Sequence, residues 1–452
     1  MNALASPPPS DGALEVRRAV QAAQATTPLH AIVLPAPARS AEFLLSLGLS
    51  TESSYFAAPG GAELVGLGRV RTLSARGAER FRSIREQAER VFSELPPATE
   101  LRLFGGFAFQ AGRAESELWR PFGEAFFALP RLTYERHGDS ARLTLVVSAE
   151  ELRERNIEGV SELAARVLAA LHGTTPEPLS AGAGNATLRE PPSEVWHDQV
   201  RAIGEAIARG ELEKLVLARR VDVDLAIAVS PARVLERLRE LAPQCVRFAF
   251  GNDGPYFLGA APERLVSKRG TTFETEAVAG SVRVGAEPTS RLLESGKDRA
   301  EQAIVLRELL RALDPVAESI EHAAQPEVHV LKHVAHLRTR VRGTLNARRH
   351  VLELVERLHP TPAVAGVPTE RALAWIAEHE THERGWYAGP VGWMDGQGNG
   401  DFVVALRSGV LSGNTLASYA GAGIVRGSEA ESELAETRWK LAALLDALGV
   451  GR

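Results

Sequence analysis

The chain has 452 residues, of which 44% are hydrophobic and 24% charged, and its 52 Lys and Arg against 57 Asp and Glu give a net charge of −5. These values are ordinary for a globular protein, and in the absence of a basic patch we expect no nucleic-acid partner. The one cysteine, Cys245, excludes an intrachain disulfide and a cysteine-based zinc site. No run of about 18 apolar residues and no signal-type N-terminus occurs, so we expect a cytoplasmic enzyme that does not contact a membrane.

Composition divides the chain into a short tail and two long segments. Residues 1–12, rich in Pro, Ala and Ser, predict a flexible tail, and residues 13–175 mix helical and strand-like patterns. Residues 176–192 are rich in Pro, Gly and Ser, which predicts an exposed connection. Residues 193–450 alternate helices and strands too irregularly for βαβ repeats. The patterns therefore predict an α+β fold with large, mainly antiparallel sheets.

The stretch from Asp401 to Lys440 combines strand and helix signals. Alternating residues at 402–406 and 415–420 predict two strands of a hairpin, joined through the Ser-Gly-Asn turn at 412–414. Gly421-Ala422-Gly423 then predicts a turn, and an acidic helix follows it.

Two acidic pairs lie at helical spacing in different parts of the chain. Glu433 and Glu436 share one helix face with Lys440, and Asp298 and Glu301 share a face at the start of another periodic helix. Two such faces can meet around Mg²⁺, which prefers oxygen ligands. A solvated helix face gives the same spacing, so the pattern alone leaves both interpretations open.

Motifs for nucleotide binding and for hydrolysis are missing or misspaced. GAGIVRG, beginning at Gly421, is one residue too long for the dinucleotide fingerprint, and HETHE at His379–Glu383 places its histidines three residues apart instead of four. No P-loop and no G-x-S-x-G segment occurs. Nucleotide binding and serine hydrolysis are therefore not indicated.

Lys214 and Glu263 each stand beside an apolar, strand-like run. A lysine there can extend to solvent, or burial can make it a general base. Glu263 follows Pro262, where apolar surroundings can keep a carboxyl protonated and available as a general acid. Taken singly, each position is open to a structural or a catalytic interpretation.

Six segments, together with the two acidic helices, carry a resemblance that covers about Val195 to Leu448. In chain order they are ELEKLVLARR, FLGAAPERL, AVAGSVR, HVAHLRT, LHPTPAVAGVP and WYAGPVGW. This order resembles the chorismate-utilising enzymes, the family of isochorismate, salicylate, anthranilate and aminodeoxychorismate synthases. The resemblance implies a single large α+β fold with two large antiparallel sheets flanked by helices and a site between them.

Two positions bear on the reaction that the resemblance implies. Family members that add water to C2 of chorismate carry a lysine where this chain has Lys214. Ala363 resembles the isochorismate-synthase form, whereas the salicylate and anthranilate enzymes more often have threonine there. The resemblance therefore implies an isochorismate synthase, an isomerase. A salicylate synthase, which also eliminates pyruvate, and a noncatalytic chorismate-binding module are the alternatives.

The resemblance also assigns the roles of the charged residues. Lys214 would deprotonate the attacking water, and Glu263 would protonate the leaving C4 hydroxyl. Glu301 and Glu436 would bind Mg²⁺ directly. Asp298 and Glu433 would support the ion through water.

The remaining matched positions concern the binding of chorismate. They are Gly280, Ser281, His336, Ala363, Tyr387, Arg407, Gly421, Gly423 and Lys440. Ser281 replaces the usual threonine and keeps its hydroxyl, whereas Gln302 replaces a histidine next to the metal ligands. The segments FGGFAF and WYAGPVGW favour menaquinone biosynthesis over siderophore biosynthesis, and we expect a monomer or a weak homodimer.

Overall fold

The computed structural model describes residues 11–23, 26–96, 100–154, 157–173, 184–285 and 289–450. Within these ranges the helices are α1 (Asp11–Ala22), α2 (Ala41–Ser46), α3 (Arg80–Ser93), α4 (Ala149–Arg153), α5 (Ile157–His172), α6 (Ser193–Ala208), α7 (Pro231–Leu241), α8 (Arg291–Glu294), α9 (Gly296–Leu313), α10 (Val351–Leu358), α11 (Thr369–His379) and α12 (Ala430–Leu448), with a 3₁₀ turn at Asp314–Val316. None of the helices in the described ranges is long and apolar enough to cross a bilayer.

The strands are, in chain order, β1 (Leu29–Ala36), β2 (Ser53–Ala57), β3 (Glu63–Leu67), β4 (Arg71–Ala75), β5 (Arg102–Phe107), β6 (Ala125–Leu129), β7 (Leu132–His137), β8 (Ser140–Ser148), β9 (Ala186–Arg189), β10 (Lys214–Leu225), β11 (Val246–Gly251), β12 (Tyr256–Ala261), β13 (Arg264–Arg269), β14 (Thr272–Arg283), β15 (Ala317–His322), β16 (Glu327–Val330), β17 (Val334–Leu345), β18 (Gly366–Val367), β19 (Pro390–Asp395), β20 (Gly400–Val404), β21 (Ser408–Ser412) and β22 (Thr415–Ile424).

The strands form two large sheets. In the described chain the first sheet has the order β1-β8-β7-β3-β2-β11-β12-β21-β22-β10-β18, with β9 also beside β10. The second has the order β15-β17-β14-β13-β20-β19-β5-β6-β4, with β16 beside β17. All of these pairs are antiparallel. The predicted α+β fold with two large antiparallel sheets is confirmed.

Both halves of the chain contribute to both sheets. In the first sheet β2 pairs with β11, so that Ala57 lies opposite Arg247. In the second sheet β5 pairs with β19, so that Gly105 lies opposite Gly392. The N-terminal segment is therefore an integral part of one fold.

Successive side chains of β2 and β11 divide between two hydrophobic clusters. Phe56, Phe248 and Phe250 join a cluster that also contains side chains of the second sheet, so the two sheets pack on each other. Tyr55 and Ala249 point to the opposite face, where α1, α2, α5, α7 and α12 cover the first sheet. The two-residue period of a strand explains this division, because alternate side chains face opposite sides of a sheet.

The hairpin predicted near the C-terminus has a different partner from the expected one. The turn at 412–414 joins β21 to β22, whereas residues 402–404 belong to β20 in the other sheet. Alternation predicts a strand but does not indicate its sheet. The chain crosses between the sheets at Arg407, which has a φ of +50°. Gly421 and Gly423 lie within β22 and do not form the predicted turn.

Two predicted boundaries meet the limits of the described residues. Residues 1–10 of the predicted tail lie outside them, and Asp11 already begins α1. Residues 176–183 of the predicted connection also lie outside. Its residues 186–189 form β9, which pairs with β10, so this exposed part of the connection is an edge strand. β10 provides hydrogen-bond partners along one edge of this strand, which the composition does not reveal.

A group of aromatic side chains fills the space between the sheets. The ring centroid of Phe257 lies 5.4 Å from that of Trp119, 5.5 Å from that of Phe248 and 6.0 Å from that of Trp386. All four side chains are 0% exposed. Large buried aromatic rings contribute strongly to stability through the apolar area that they remove from water.

We expect Phe257→Ala to lower the free energy of unfolding by about 3–5 kcal/mol, because it removes a buried ring and leaves a cavity among neighbours that cannot fully collapse. Urea denaturation measures the change. Ile227→Ala is the matched control, because Ile227 is 64% exposed and its truncation should change stability by less than about 0.5 kcal/mol. Similar losses in the two variants would contradict this account of the core.

Candidate active site

A cavity of about 730 Å³, including its mouth, lies between the two sheets. It is located where α9 packs against β14 of the second sheet and α12 packs against β22 of the first. The candidate residues that line it are Glu263, Gly280, Ser281, Glu301, His336, Ala363, Tyr387, Arg407, Gly421, Gly423, Glu436 and Lys440. Lys214, Asp298 and Glu433 do not line the cavity, but each is adjacent to a residue that does.

Lys214 begins β10 and is 0% exposed, and its Nζ lies 2.9 Å from Oε1 of Glu301. Burial by itself would raise the pKa of Glu301, but the Lys214 ammonium reverses this effect and holds that pKa below its usual value. Gly423 provides the space for this pair, because a Cβ at that position would lie 2.4 Å from Oε1 of Glu301. Any larger residue at position 423 would displace the Glu301 carboxylate.

Lysines also accompany the acidic face of α12. Lys440 Nζ lies 2.7 Å from Oε1 of Glu436 and donates to the Gly421 carbonyl at 2.9 Å. Lys297 Nζ donates to Oε1 of Glu433 at 2.8 Å. Burial raises the pKa of Glu433, and the negative charge of Glu436 raises it further. Lys297 was not predicted from the sequence, although its position beside Asp298 at the start of α9 was a signal.

Asp298 packs against Gly280, whose φ of +74° favours glycine and where a Cβ would lie 2.9 Å from the Asp298 Cβ. Burial raises the pKa of Asp298, and the charge of Glu301 adds to this effect. Burial and a neighbouring carboxylate therefore both disfavour the ionised forms of Asp298 and Glu433. A bound cation would relieve both penalties.

The donor set fits Mg²⁺ in one particular mode. In the described ranges, no three His, Cys, Asp or Glu side chains form a group that could hold a metal ion. Magnesium commonly binds to one or two carboxylates and completes its octahedron with water and substrate oxygens. The predicted arrangement, with two direct ligands and two supporting carboxylates, agrees with this mode. The metal site remains a prediction.

Glu263 lies between β12 and β13 and is 3% exposed. Burial and the nearby charge of Glu276 raise the pKa of Glu263 to about 8, although the charges of Lys214 and Lys440 oppose the shift. The carboxyl is therefore mostly protonated at neutral pH. A protonated acid and a lysine in electrostatic range of each other can transfer protons to and from one bound molecule.

Arg407, His336 and Ser281 form a hydrogen-bonded chain along one wall of the cavity. Arg407 Nη2 lies 2.9 Å from His336 Nε2, and an arginine can only donate, so Nε2 accepts. His336 Nδ1 then carries the proton and donates to the Gly280 carbonyl at 3.1 Å, with Ser281 Oγ 3.0 Å away. Burial and the Arg407 charge hold the pKa of His336 well below its usual range. The imidazole ring is therefore neutral.

Aromatic and small residues form another wall. Tyr387 stacks on Tyr419, with ring centroids 5.2 Å apart, and burial raises the pKa of the Tyr387 phenol. Ala363 presents its methyl group to the cavity. Tyr419 was not predicted from the sequence, because an aromatic residue of this kind in an alternating strand is indistinguishable from a core residue.

A buried ion pair beside the cavity was also not predicted from the sequence. Arg384 is 3% exposed and donates to the carbonyls of Val364 and Val216, each at 2.8 Å. Its partner Glu380, from the HETHE segment, accepts the N–H of Ala218 at 2.9 Å. The pair therefore ties the loop that carries Ala363 to β10. The spacing of four residues between these charges was a signal, but it is equally typical of an exposed helix face.

Residues 18–449 match the family model described as chorismate binding enzyme, and the chain belongs to this family. It is 35% identical over 390 residues to the salicylate biosynthesis isochorismate synthase of Pseudomonas aeruginosa, covering 83% of this chain and 80% of the relative. It is 33% identical over 408 residues to the isochorismate synthase MenF of Bacillus subtilis, covering 85% of each.

A solved structure of Escherichia coli MenF, described as the menaquinone-specific isochorismate synthase, has a TM-score of 0.81 and 30% identity. The match covers 97% of this chain and 99% of that one. The family membership expected from the motifs is therefore confirmed. The roles of the individual residues remain predictions.

The raised pKa of Glu263 should make stability depend on pH. Unfolding returns this pKa from about 8 to the ordinary 4.5, so the folded protein binds more protons between these values. The stability that the protonated carboxyl contributes is complete below about pH 4.5 and is lost as the pH rises to about 8. Glu263→Gln cannot ionise, so its stability relative to wild type should rise over this interval by a few kcal/mol, on the order of the linked shift.

Urea denaturation of wild type and Glu263→Gln at pH values across this range measures the effect. The two proteins share every other ionisable group, so groups that do not interact with Glu263 cancel in their difference. A difference that is constant with pH would show that Glu263 titrates normally.

Proposed function

We propose that the protein is an Mg²⁺-dependent isochorismate synthase, an isomerase that converts chorismate to isochorismate. The observation that carries the proposal is the pair formed by Lys214 and Glu263. The lysine is buried, and the carboxyl is protonated at neutral pH within electrostatic range of it. Relatives that share about a third of their residues with the chain are named isochorismate synthases, which supports the same function.

Chorismate is a dianion, and the cavity offers groups that suit its two carboxylates. The Arg407 guanidinium lies at the wall formed by His336, and a guanidinium recognises a planar carboxylate with two parallel hydrogen bonds. Gly421 and Gly423 leave their backbone open to the ring carboxylate, because they have no Cβ. Tyr387 and Ala363 provide apolar contact for the ring.

The metal would be held by the carboxylates of α9 and α12. Glu301 and Glu436 would bind it directly, with Asp298 and Glu433 supporting it through water. Bound Mg²⁺ supplies positive charge that neutralises the ring carboxylate of the substrate. Lys297 and Lys440 balance part of this negative charge in the free protein.

The reaction replaces the C4 hydroxyl by a hydroxyl at C2. Lys214 takes a proton from a water that forms a bond to C2, the ring double bonds shift, and the C4–O bond breaks. Glu263 donates its proton to the departing hydroxyl, which leaves as water. One water enters and one leaves, so the reaction is an isomerisation.

The Lys214–Glu301 ion pair bears on the availability of the base. Lys214 must be neutral when it accepts a proton, and in the free protein its Nζ lies 2.9 Å from the Glu301 carboxylate. Any interaction that engages the Glu301 carboxylate elsewhere would free Nζ from this contact. After turnover Lys214 has gained one proton and Glu263 has lost one. Loss of a proton from the lysine and uptake of a proton by the carboxylate restore the starting forms.

Two alternatives make different products. A salicylate synthase would release salicylate and pyruvate, but the resemblance associates threonine with that branch at the position where this chain has Ala363. A noncatalytic chorismate-binding module would need no protonated acid beside a buried lysine. Menaquinone biosynthesis is the pathway that we favour, because the MenF structure matches nearly the full chain. A siderophore pathway would require the same reaction.

Purified protein incubated with chorismate and Mg²⁺ should form isochorismate alone, approaching an equilibrium mixture of the two compounds, as measured by chromatography of every product. EDTA should abolish turnover, and added Mg²⁺ should restore it. Salicylate with pyruvate would favour the first alternative, and unchanged chorismate would favour the binding module. Turnover that persists in EDTA would contradict the metal requirement.

Lys214→Ala and Lys214→Arg test the base. Both should lower kcat by about 10²–10⁴, the usual contribution of general acid–base catalysis, with a smaller effect on the KM for chorismate. The arginine variant keeps a positive charge for Glu301 but does not deprotonate at accessible pH. Lys332→Ala, at a lysine 43% exposed on the surface, is the control and should retain wild-type rates. Activity retained in Lys214→Arg would show that only the charge at this position is needed.

A further inference from the structure

The peptide group that follows Glu263 is held from both sides. Its carbonyl, which belongs to Glu263, accepts the N–H of Val404 at 3.1 Å. Its N–H, which belongs to Arg264, donates to Oε1 of Glu276 at 2.6 Å. A peptide unit fixed at both its oxygen and its nitrogen has little freedom to rotate. The direction in which the Glu263 side chain leaves the backbone is fixed with it.

The end of a strand ladder explains why a side chain makes this contact. β13 pairs with β14 from Ser267 to Arg269, so the Arg264 N–H lies beyond the paired part of these two strands. On the other side of β13, the pairing with β20 shifts register between Arg264 and Val266, as in a β-bulge, and bulges commonly redirect a side chain near an active site. Two residues of β14 stabilise the backbone here, since Thr275 Oγ1 donates to the Leu265 carbonyl at 2.6 Å and Glu276 accepts from Arg264.

The charges around Glu263 come from several elements. Lys214 on β10 and Lys440 on α12 favour its ionised form, whereas Glu276 on β14 opposes ionisation. The guanidinium of Arg264 pairs with Asp401 on β20, with Nε and Oδ1 3.0 Å apart. Glu276 and burial therefore both raise the pKa of Glu263, and the two lysines oppose them.

Glu276 itself is held in place by positive groups. Burial raises its pKa, whereas the Arg264 N–H and then Arg338, whose Nη1 lies 3.7 Å from Oε2, favour its ionised form. It lines a second cavity, separate from the first and bordered by Pro262, which lines both. The side chain of Glu276 is 13% exposed. The carboxylate therefore lies between solvent and the acid of the proposed reaction.

We propose that Glu276 is a positioning residue for the reaction proposed above: it fixes the backbone of Glu263 and, through its negative charge, favours the proton-carrying form of that acid. This inference rests on the proposed function for its catalytic meaning. Its structural basis is the two hydrogen bonds, from the Val404 N–H and to Glu276, that fix the peptide group after Glu263.

Glu276→Gln separates the two effects of this residue. Its amide oxygen can still accept the Arg264 N–H, but the charge is gone. Loss of the charge lowers the pKa of Glu263, and the acid works only when protonated. The alkaline limb of the kcat/KM profile, which reports the free enzyme, should therefore move about 0.5–1 pH unit lower. On the alkaline side kcat/KM should fall about three- to tenfold, the rate equivalent of that shift.

Glu276→Ala removes the acceptor as well as the charge. This variant should move the alkaline limb in the same direction. It should also lower kcat on the acidic side of the profile, where Glu276→Gln should lower kcat least. Glu274→Gln is the matched control, because Glu274 lines the same second cavity on the same strand but pairs with Arg342. An alkaline limb unchanged in Glu276→Gln, or moved equally in Glu274→Gln, would overturn the proposal.

A titration without turnover distinguishes this inference from the proposed function. In protein labelled with ¹³C at glutamate side chains, the carboxyl signal absent from Glu263→Gln identifies Glu263 in the NMR spectrum. Its midpoint should move to lower pH in Glu276→Gln and not in Glu274→Gln. If wild type forms no isochorismate but this midpoint moves, the proposed function fails and the electrostatic coupling stands. An unmoved midpoint refutes the coupling whatever the product.

Discussion

The candidate site depends on the burial of a lysine at the first position of a strand. Lys214 has no exposed surface, and a buried ammonium is costly unless a counter-charge lies close to it. Glu301 provides that charge from a different element, α9, at 2.9 Å. Strand, helix and the Cβ-free surface at Gly423 must therefore be in register for this site to form. This one pair couples the position of α9 to the first sheet.

Burial also controls the Glu263 carboxyl, but here its effect exceeds that of the counter-charges. Its carboxyl is buried near two lysines, which by themselves would favour ionisation. The desolvation penalty exceeds their effect, and the pKa rises to about 8. The protonation state of this carboxyl is therefore set by burial more than by the positive charges near it.

The sequence was most informative where chemistry depends on local periodicity. Glu433, Glu436 and Lys440 share a face because helix geometry requires it, and α9 and α12 are both present as predicted. Motif order identified the family and many of the residues that line the cavity, but not Tyr419 or Arg384. Contacts between distant segments were not accessible in this way: Lys297 pairs with Glu433, and Glu276 contacts the backbone at Arg264.

The hairpin shows the same limit at the level of strands. Residues 402–404 and 415–420 both alternate, yet they lie in different sheets because the chain turns at Arg407. A period of two identifies a strand and its two faces but not its neighbours. The partner of each strand depends on the topology of the whole sheet, and a local residue pattern does not predict that topology.

The interleaving of the two halves of the chain has a consequence for how the protein is made. Ala57 of β2 pairs with Arg247 of β11, and β5 pairs with β19. Neither early strand can form these pairs until its partner has been synthesised. At about 5–20 residues per second, β2 leaves the ribosome roughly ten to forty seconds before its partner exists. During that time the backbone N–H and C=O groups along one edge of β2 have no strand partner, and such unpaired edges make a nascent chain prone to aggregation and dependent on chaperones.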